Sequence, residues 1–453
     1  MAHTFKGGIH PNDMKAATCG KAIELLPAPA RVVIPMSMHI GAPCSPIVNV
    51  GDHVYLGQKI AEAQAPVSSP VHASVSGTVV EIAPKPHSYG SDSLSIVIEN
   101  DFKDEVDPSI KPLDIDTMTS EEIVEAVRQA GIVGHGGATF PTHIKISSGL
   151  GKVDNVLINC AECEPYITSD HRILLEYPWE VVGGAKILQK VFGVKEVKLG
   201  IELNKQDTFD GLKQYLPEDG SVKIYPLVTK YPQGSEKHLI LALTGREVPS
   251  GKLPADAGCA VFNTDTCAAI YRLFNTGMPV IRRIVTVTGS AVANPKNLEA
   301  RIGTPVSALF EAAGGFNESP KKMVMGGPMM GMAQYTVDVP VGKGTGAMLA
   351  FCGKEEQTVA NPQCIRCGKC VSACPVHLEP LFMYQYAEKG MVDELNDAHI
   401  MDCMECGACA YTCPARLHLT QMFKYGKHLV KDKMMADKAA AEAKKAAEEK
   451  KEA

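Results

Sequence analysis

C-I-R-C-G-K-C-V-S-A-C-P at residues 364–375 and C-M-E-C-G-A-C-A-Y-T-C-P at residues 403–414 repeat one spacing, C-x₂-C-x₂-C-x₃-C-P. Such a run brings three thiolates onto one face of a [4Fe–4S] cluster, and its fourth cysteine ligates the second cluster of a pair. The alternatives are zinc sites, which typically use separated C-x₂-C pairs, and a disulfide network. The repeat therefore predicts two iron–sulfur clusters and the transfer of single electrons.

The two runs resemble those of two-cluster bacterial ferredoxins, in which the ligand sets cross between the runs. One cluster is then expected on Cys364, Cys367, Cys370 and Cys413, and the second on Cys403, Cys406, Cys409 and Cys374. We expect this ferredoxin-like α domain to cover residues 351–430. The Ala/Lys/Glu-rich composition of residues 431–453 predicts a solvated helical tail.

Composition limits the remaining possibilities. A chain of 453 residues is long enough for about three domains, and its net charge of −6 gives no indication of nucleic-acid binding. Cluster ligands and scattered thiols among 15 cysteines indicate a reducing compartment. The N-terminus lacks the apolar core of a signal peptide, and no apolar run is long enough to span a bilayer. The sequence thus predicts a cytoplasmic protein, or one held at a membrane only by partners.

An all-β module is predicted at residues 32–100, after an irregular segment at 1–31. Its stretches V-G-D-H-V-Y-L-G-Q-K-I at 50–60 and V-S-G-T-V at 75–79 alternate short strands with tight turns. They resemble the hairpins of the biotinyl/lipoyl-type barrel-sandwich family. Carriers of that family display a lysine on a hairpin tip, where this chain has V-H-A-S-V at 71–75. We therefore interpret the module as structural or docking, followed by a linker at 101–118.

Alternating strands and helices predict an α/β domain over residues 119–280. It opens with a capping box of Thr119 and Glu122 and continues into the glycine-rich stretch G-H-G-G-A-T-F-P at 134–141. A buried strand at 154–160 is followed by A-E-C-E-P, with Glu162 and Glu164 at the strand end where α/β proteins bind ligands. A tight turn and a pair of solvated loop acids are the alternative interpretations of these two features.

Four stretches of this domain together resemble the NADH-binding flavoprotein subunit of respiratory complex I. They occur in that family's order: G-H-G-G-A-T-F-P-T-H-I-K, N-C-A-E-C-E-P, Y-P-Q-G-S-E and V-F-N-T-D-T. The resemblance implies a bound FMN with NAD(H) stacked over it. By position, it assigns the FMN and its phosphate to Gly134, Gly136, Gly137, Lys145, Asn263 and Thr266, and flavin contacts to Asn159, Glu162 and Cys163.

The same resemblance places Phe140 and Glu164 toward the nicotinamide nucleotide and closes the site with Tyr231, Gly234, Ser235 and Glu236. The two glutamates are expected to act as binding and electrostatic groups and not as proton carriers, and no side chain is expected to be catalytic. This chain departs from the family at Ala161, Cys163, Phe262 and Ser235. These differences affect the details of nicotinamide placement.

Residues 281–350 resemble the soluble-ligand-binding β-grasp (SLBB-like) module that follows the flavin domain in that family. Their methionines are expected to be core and docking surface. The chain as a whole, a multidomain α/β protein, is identified as a member of the RnfC family of the Rnf (Rsx) electron-transport complex. Barrel-sandwich, flavin domain, β-grasp module and two clusters occur in that order.

Membership implies a peripheral subunit on the cytoplasmic face of the cell (inner) membrane. Its partners would be other Rnf subunits, both the membrane-integral ones and the ferredoxin-like RnfB, with ferredoxin met indirectly. The complex would act as an ion-transporting ferredoxin:NAD⁺ oxidoreductase, coupling hydride exchange and electron transfer to translocation of Na⁺ or H⁺. Two alternatives are the flavin subunit of a soluble NADH-linked hydrogenase or dehydrogenase, which usually lacks the barrel-sandwich, and a non-catalytic iron–sulfur adaptor with an empty nucleotide site.

Overall fold

The structure, a computed structural model, describes residues 2–353 and 359–452, with side chains as far as residue 444. The chain divides into two compact units. The first comprises Met1–Phe5, Pro11–Thr229 and Gln233–Glu356, and the second comprises Lys6–His10, Lys230–Pro232 and Gln357–Ala453. Two short inserts from outside the C-terminal region therefore belong to the unit that carries the cysteine runs.

Seven strands form two antiparallel sheets near the start of the first unit. They are β2 (Arg31–Pro35), β3 (Ser45–Pro46), β4 (His53–Val54), β5 (Lys59–Glu62), β6 (Val71–His72), β7 (Gly77–Pro86) and β8 (Asp92–Asn100). One sheet has the order β2-β8-β7-β4 and the other β3-β5-β6. Val32, Ile34, Ile96 and Ile98, facing one another on β2 and β8, are completely buried.

A parallel four-stranded sheet is the centre of the first unit. It consists of β9 (Asn155–Cys160), β10 (Val197–Glu202), β11 (Val222–Leu227) and β12 (Cys259–Asn263), in the order β11-β10-β9-β12. Val156, Leu157 and Ile158 are fully buried because helices cover both faces of the sheet. Each such side chain contributes roughly 1.5–3 kcal/mol of apolar burial.

Seven helices accompany this sheet: α1 (Ser120–Gln129), α2 (Thr142–Gly149), α3 (Ser169–Glu176), α4 (Pro178–Phe192), α5 (Thr208–Lys213), α6 (Glu236–Thr244) and α7 (Thr264–Thr276). The predicted capping box is confirmed at α1. The Thr119 hydroxyl accepts from the Glu122 N–H at 3.2 Å, and the Thr119 N–H donates to the Glu122 carboxylate at 2.8 Å. These two bonds satisfy donors that have no partner inside the helix.

A fourth sheet described in the first unit has six strands in the order β1-β14-β13-β17-β15-β16. They are β1 (Ile23–Leu25), β13 (Arg282–Thr288), β14 (Lys296–Arg301), β15 (Lys322–Met325), β16 (Met332–Gln334) and β17 (Ala347–Phe351), with helix α8 (Val306–Ala312) packed on them. The expectation that residues 1–31 are irregular is wrong for β1. This strand forms by parallel pairing with β14, a partner that local sequence does not reveal.

The second unit is helical. It contains α9 (Lys369–Ala373), α10 (Pro380–Glu388), α11 (Val392–Asp397), α12 (Ala408–Tyr411) and α13 (Leu419–Glu452). Met383, Leu395, Ile400, Leu419 and Phe423 are buried and form its core. Every residue from 431 to 444 is exposed, so α13 continues as the solvated helical tail that its composition predicts. Within residues 2–353 and 359–452, no helix combines the length and apolarity needed to cross a membrane.

Candidate functional site

The carboxyl ends of the four parallel strands share one edge of the central sheet. From β9 the chain places β10 and then β11 on one side and returns to place β12 on the other. The strand order therefore reverses between β9 and β12, and open α/β sheets bind ligands in the crevice at that position. Asn159 and Asn263 lie opposite each other there, in register on the two strands.

The glycine-rich loop lies over this crevice. Its ends are joined by a hydrogen bond from the Gly134 N–H to the Phe140 carbonyl at 2.8 Å. A Cβ on Gly136 would lie 3.1 Å from the Asn263 amide nitrogen, whereas Gly137, with a φ of +80°, faces open space. Gly136, Gly137 and Ala138 are exposed while Phe140 is half-buried. The loop thus presents bare backbone above the strand ends, a cradle in which side chains would displace a ligand.

Helix α7 begins at the same place. The Asn263 side-chain oxygen accepts from the N–H groups of Asp265 at 2.9 Å and Thr266 at 3.3 Å, so it caps the helix. The Thr266 hydroxyl accepts from the His135 N–H at 2.8 Å and thereby joins helix and loop. The exposed loop backbone lies beside the positive end of the α7 dipole, and this combination suits an anion such as a phosphate.

A second contact joins the loops that follow β9 and β11. The Asn159 amide donates to the Gly234 carbonyl at 2.7 Å. A Cβ on Gly234 would lie 3.1 Å from the Cys163 sulfur, so glycine is the residue that best allows this approach. Burial raises the pKa of the Cys163 thiol, which keeps the thiol protonated. The two loops therefore close over the strand end as one assembly.

Lys145 projects from α2 toward the same edge. Its ammonium group donates to the Glu236 carboxylate at 2.7 Å and to the Val261 carbonyl at 2.8 Å. Glu236 opens helix α6, directly after Ser235, whose hydroxyl lies 3.1 Å from the His238 ring. Lys145 is partly exposed and places a positive charge at this edge of the sheet.

Glu162 binds the N-terminus of helix α3. Its carboxylate accepts from the N–H groups of Asp170 at 2.6 Å and His171 at 3.3 Å. The side chain is 4% exposed. The carboxylate thus supplies the acceptor that helix α3 lacks in its own N-cap residue.

Glu164 binds a turn between β15 and β16. Its two oxygens accept from the N–H groups of Met329 at 3.0 Å and Met330 at 2.9 Å, and a Cβ on Gly327 would collide with the carboxylate. Burial raises its pKa to about 7, although the two N–H donors favour the charged form. Glu164 therefore couples the loop after β9 to the β-grasp sheet.

Two buried lysines fix the A-E-C-E-P loop, and the sequence interpretation did not include them. Lys15 donates to the carbonyls of Glu162 at 2.9 Å and Glu164 at 3.0 Å, and Lys205 donates to the Ala161 carbonyl at 2.6 Å. Burial lowers the pKa of Lys15, against the opposing effect of Glu162. Lys205 follows the carboxyl end of β10, so the strand-end rule could have identified it. No local pattern marks Lys15.

A buried charge network supports the glycine-rich loop and also escaped the sequence interpretation. The Asp265 carboxylate contacts the His135 ring nitrogen at 3.0 Å, Arg272 at 2.7 Å and Arg283. Arg283 also donates to the His135 carbonyl at 3.1 Å. Burial, together with the two arginines, lowers the pKa of His135 and keeps it neutral. The network thus fixes the glycine-rich loop through His135, the second residue of that loop.

The eight cysteines of the two runs line two cavities in the second unit. Cavity I is lined by Cys364, Cys367, Cys370 and Cys413. Cavity II is lined by Cys374, Cys403, Cys406 and Cys409. Each cavity thus combines three cysteines of one run with the last cysteine of the other. Four thiols that line a shared cavity suit a [4Fe–4S] cluster, whereas four thiolates on one zinc ion would converge on a single point.

Tyr231 belongs to the second unit, whereas the other predicted flavin-site residues all belong to the first. Its side chain is 1% exposed, and its hydroxyl donates to the Cys406 carbonyl at 2.6 Å. The sequence motif Y-P-Q-G-S-E is therefore divided between the two units after Pro232.

Four family models match the chain in sequence order. They are the RnfC barrel sandwich hybrid domain at residues 3–103, the Nuo51 FMN-binding domain at 127–272, the SLBB domain at 284–333 and the 4Fe-4S dicluster domain at 361–449. The expected multidomain fold class is confirmed, as are the expected cofactors, FMN and two [4Fe–4S] clusters.

Relatives match nearly the full chain. The RnfC-type subunit of the Na⁺-translocating ferredoxin:NAD⁺ oxidoreductase complex of Acetobacterium woodii is 48% identical over 88% of this chain and 90% of its own length. The proton-translocating counterpart of Clostridium ljungdahlii is 44% identical over 88% of each chain. A solved NAD⁺-reducing [NiFe]-hydrogenase matches 69% of this chain and 65% of its own at 18% identity and a TM-score of 0.48, a likeness too low to support a conclusion. The chain belongs to the RnfC family, whose members are subunits of ion-translocating ferredoxin:NAD⁺ oxidoreductase complexes.

Proposed function

We propose that this chain is the nicotinamide-reacting subunit of a complex that couples electron transfer between ferredoxin and NAD⁺ to translocation of Na⁺ or H⁺. FMN, when bound, accepts or donates hydride as two electrons and exchanges them singly with iron–sulfur clusters. The residues described above bind and orient the two cofactors and shield their reaction from water. One observation carries this proposal: the glycine-rich loop, the N-terminus of α7 and the loop after β9 lie together at the crevice between β9 and β12.

The flavin phosphate is assigned to the loop of Gly134, Gly136 and Gly137, of which the last two are exposed, with Thr266 and Asn263 at the start of α7. Lys145 is proposed to supply a positive charge to the phosphate. Its side chain is partly exposed although its ammonium group also pairs with Glu236. Asn159 and Cys163 are assigned to one side of the flavin site, which we call the flavin wall. Asn159 donates to the Gly234 carbonyl across the crevice, and the Cys163 sulfur lies next to Gly234. Glu162 acts on this wall through α3, to which its carboxylate is bound.

The nicotinamide nucleotide is assigned to the side of Phe140 and Glu164. Phe140, half-buried at the end of the glycine-rich loop, offers a ring face for stacking. Glu164 shapes this side through the Met329–Met330 turn. Gly234, Ser235 and Glu236 close the opposite side. The two glutamates are assigned as binding and electrostatic groups and not as proton carriers, because each carboxylate is already bound by two backbone N–H groups.

The cluster ligands are assigned as the two cavities arrange them: Cys364, Cys367, Cys370 and Cys413 for cavity I, and Cys374, Cys403, Cys406 and Cys409 for cavity II. The Arg366 N–H donates to the Cys364 sulfur at 3.3 Å, and the Leu378 N–H donates to the Cys374 sulfur at 3.3 Å. Such hydrogen bonds stabilise the reduced, more negative state of a cluster.

The chain is proposed to attach peripherally to the cytoplasmic face of the membrane, through membrane-integral subunits and a ferredoxin-like subunit of the same complex. The names of the relatives, which describe subunits of ion-translocating complexes, support attachment to such a complex. The barrel-sandwich is the proposed docking module, because it lacks a carrier lysine at residues 71–75.

The flavin assignment is tested by the affinity of the flavin-free protein for FMN, followed by quenching of FMN fluorescence. We expect one FMN per chain. Gly136→Leu fills the cradle beside Asn263 and should weaken binding at least tenfold. The matched control is Gly211→Leu in α5, where an added Cβ meets no atom within 4 Å; it should bind FMN normally. A protein with intact clusters that binds no FMN would instead be an electron-conducting adaptor.

A further inference from the structure

The two inserts of the second unit form a small structure of their own. Ile9 and Tyr231 exchange two backbone hydrogen bonds, each of 2.8 Å, and so pair as antiparallel strands. One insert, Lys6–His10, precedes the barrel-sandwich in sequence, and the other, Lys230–Pro232, lies between β11 and α6. Neither belongs to the cysteine runs, so they add structure to the ferredoxin-like domain that the duplicated motif does not predict.

Both inserts contact backbone that carries ligands of cavity II. A Cβ on Gly7 would lie 3.5 Å from the Cys374 carbonyl oxygen and 3.6 Å from the Pro375 Cα. The Tyr231 hydroxyl donates to the Cys406 carbonyl at 2.6 Å. Cys374 and Cys406 come from different runs, yet both line cavity II. The inserts therefore meet this cavity at two of its four cysteines.

The Tyr231 hydrogen bond makes the surroundings of the two cavities electrostatically different. A carbonyl oxygen near a cluster carries negative partial charge, which disfavours adding an electron. A hydroxyl proton directed at that oxygen offsets this charge, and burial of the pair keeps the effect from being screened by water. Lys427 acts in the same sense, donating to the Cys403 carbonyl at 2.5 Å while paired with Glu405 at 2.8 Å.

We propose that Tyr231 is a positioning residue that raises the reduction potential of the cavity II cluster through the Cys406 carbonyl. The two cysteine runs share their spacing, so the spacing alone gives no reason for the two clusters to differ in potential. The inference rests on the ligand assignment proposed above. Its consequence is that the cavity II cluster accepts an electron at a higher potential than it would without the Tyr231 hydroxyl.

The test is an anaerobic redox titration of the holoprotein, with both cluster signals followed by EPR. Cys406→Ser identifies the cavity II signal by removing it. Tyr231→Phe keeps the ring and deletes only the hydroxyl, so the midpoint of the cavity II signal should fall while that of cavity I stays unchanged. Tyr225→Phe, which deletes the hydroxyl bound to Glu196 at 2.6 Å, is the matched control and should shift neither midpoint.

The outcomes separate the two proposals. If Cys406→Ser removes neither signal, the ligand assignment fails. If it removes one signal but Tyr231→Phe leaves both midpoints unchanged, or shifts both equally, the role of Tyr231 is refuted. Loss of the cavity II cluster in Tyr231→Phe would show that the tyrosine only supports the cluster structurally, and this too would overturn the proposal.

Discussion

Asn159 and Asn263 lie opposite each other on β9 and β12, and each uses its side-chain amide to join separate elements across the sheet edge. Asn159 donates to Gly234 in the loop after β11, at 2.7 Å. Asn263 caps α7 and donates to the Asp170 carboxylate at 2.6 Å. This pair marks the crevice at which the proposed flavin site is assembled.

Asn263→Ala should lower both stability and FMN affinity. The variant loses the cap of α7, which is worth about 0.5–2 kcal/mol. Asn263→Ser is the matched variant, since serine also caps helices but cannot replace the amide donor to Asp170. Thermal unfolding of the flavin-free protein should therefore distinguish the two variants, while FMN affinity should fall in both. Equal stability of Asn263→Ala and the wild type would contradict the capping role.

Asp265→Asn should destabilise the first unit strongly. It leaves Arg272 and Arg283 without their shared carboxylate, and breaking a buried ion pair costs about 3–5 kcal/mol. Urea unfolding can be followed through Trp179, the single tryptophan, which lies on α4. Asp210→Asn, at a side chain that is 91% exposed beside Lys213, is the control and should change stability by less than ~0.5 kcal/mol. Similar losses in both variants would be inconsistent with the network.

Glu164 should make stability depend on pH in an unusual direction. Because its pKa is raised from 4.5 to about 7, the folded protein retains between these values a proton that the unfolded chain releases. The contribution of Glu164 to stability therefore falls as pH rises from 4.5 to 7, by on the order of 1–3 kcal/mol. Glu164→Gln cannot titrate and removes this dependence. The difference between the unfolding free energies of the two proteins should change by that amount between pH 5 and pH 7.5, and a constant difference would refute the shift.

Paired cysteine substitutions distinguish crossed from uncrossed ligand sets. Cys364→Ser with Cys413→Ser removes two residues of cavity I and should cost one cluster. Cys364→Ser with Cys374→Ser removes one residue from each cavity and should cost both, although these two cysteines belong to a single run. Iron content and EPR spin count provide the measurement. The opposite ranking would mean that each run ligates its own cluster.

The features that could be predicted from sequence are those with a fixed local pattern. The cysteine spacing anticipated the two sets that line cavities I and II. The strand-end rule anticipated where Glu162 would lie, because parallel strands bring distant loops to one edge, whereas Asn159 and Asn263 were assigned from the family resemblance.

What could not be predicted depends on partners distant in sequence. Lys15 reaches the loop after β9 from an N-terminal segment without any periodic pattern. The pairing of Ile9 with Tyr231, and hence the place of Tyr231 in the second unit, requires two segments far apart in the chain. Glu164 was assigned by position to the nicotinamide side, yet its contact with the Met329–Met330 turn arises only from packing of the β-grasp sheet.

The most direct test of the central claim is an anaerobic titration of the reconstituted protein with NADH, recording flavin absorbance and cluster EPR on the same sample. The proposed function predicts that NADH bleaches the bound flavin and that a reduced-cluster signal then develops. If flavin and clusters are both present but NADH leaves the flavin absorbance unchanged, nicotinamide does not react at the β9–β12 crevice, and the account is wrong.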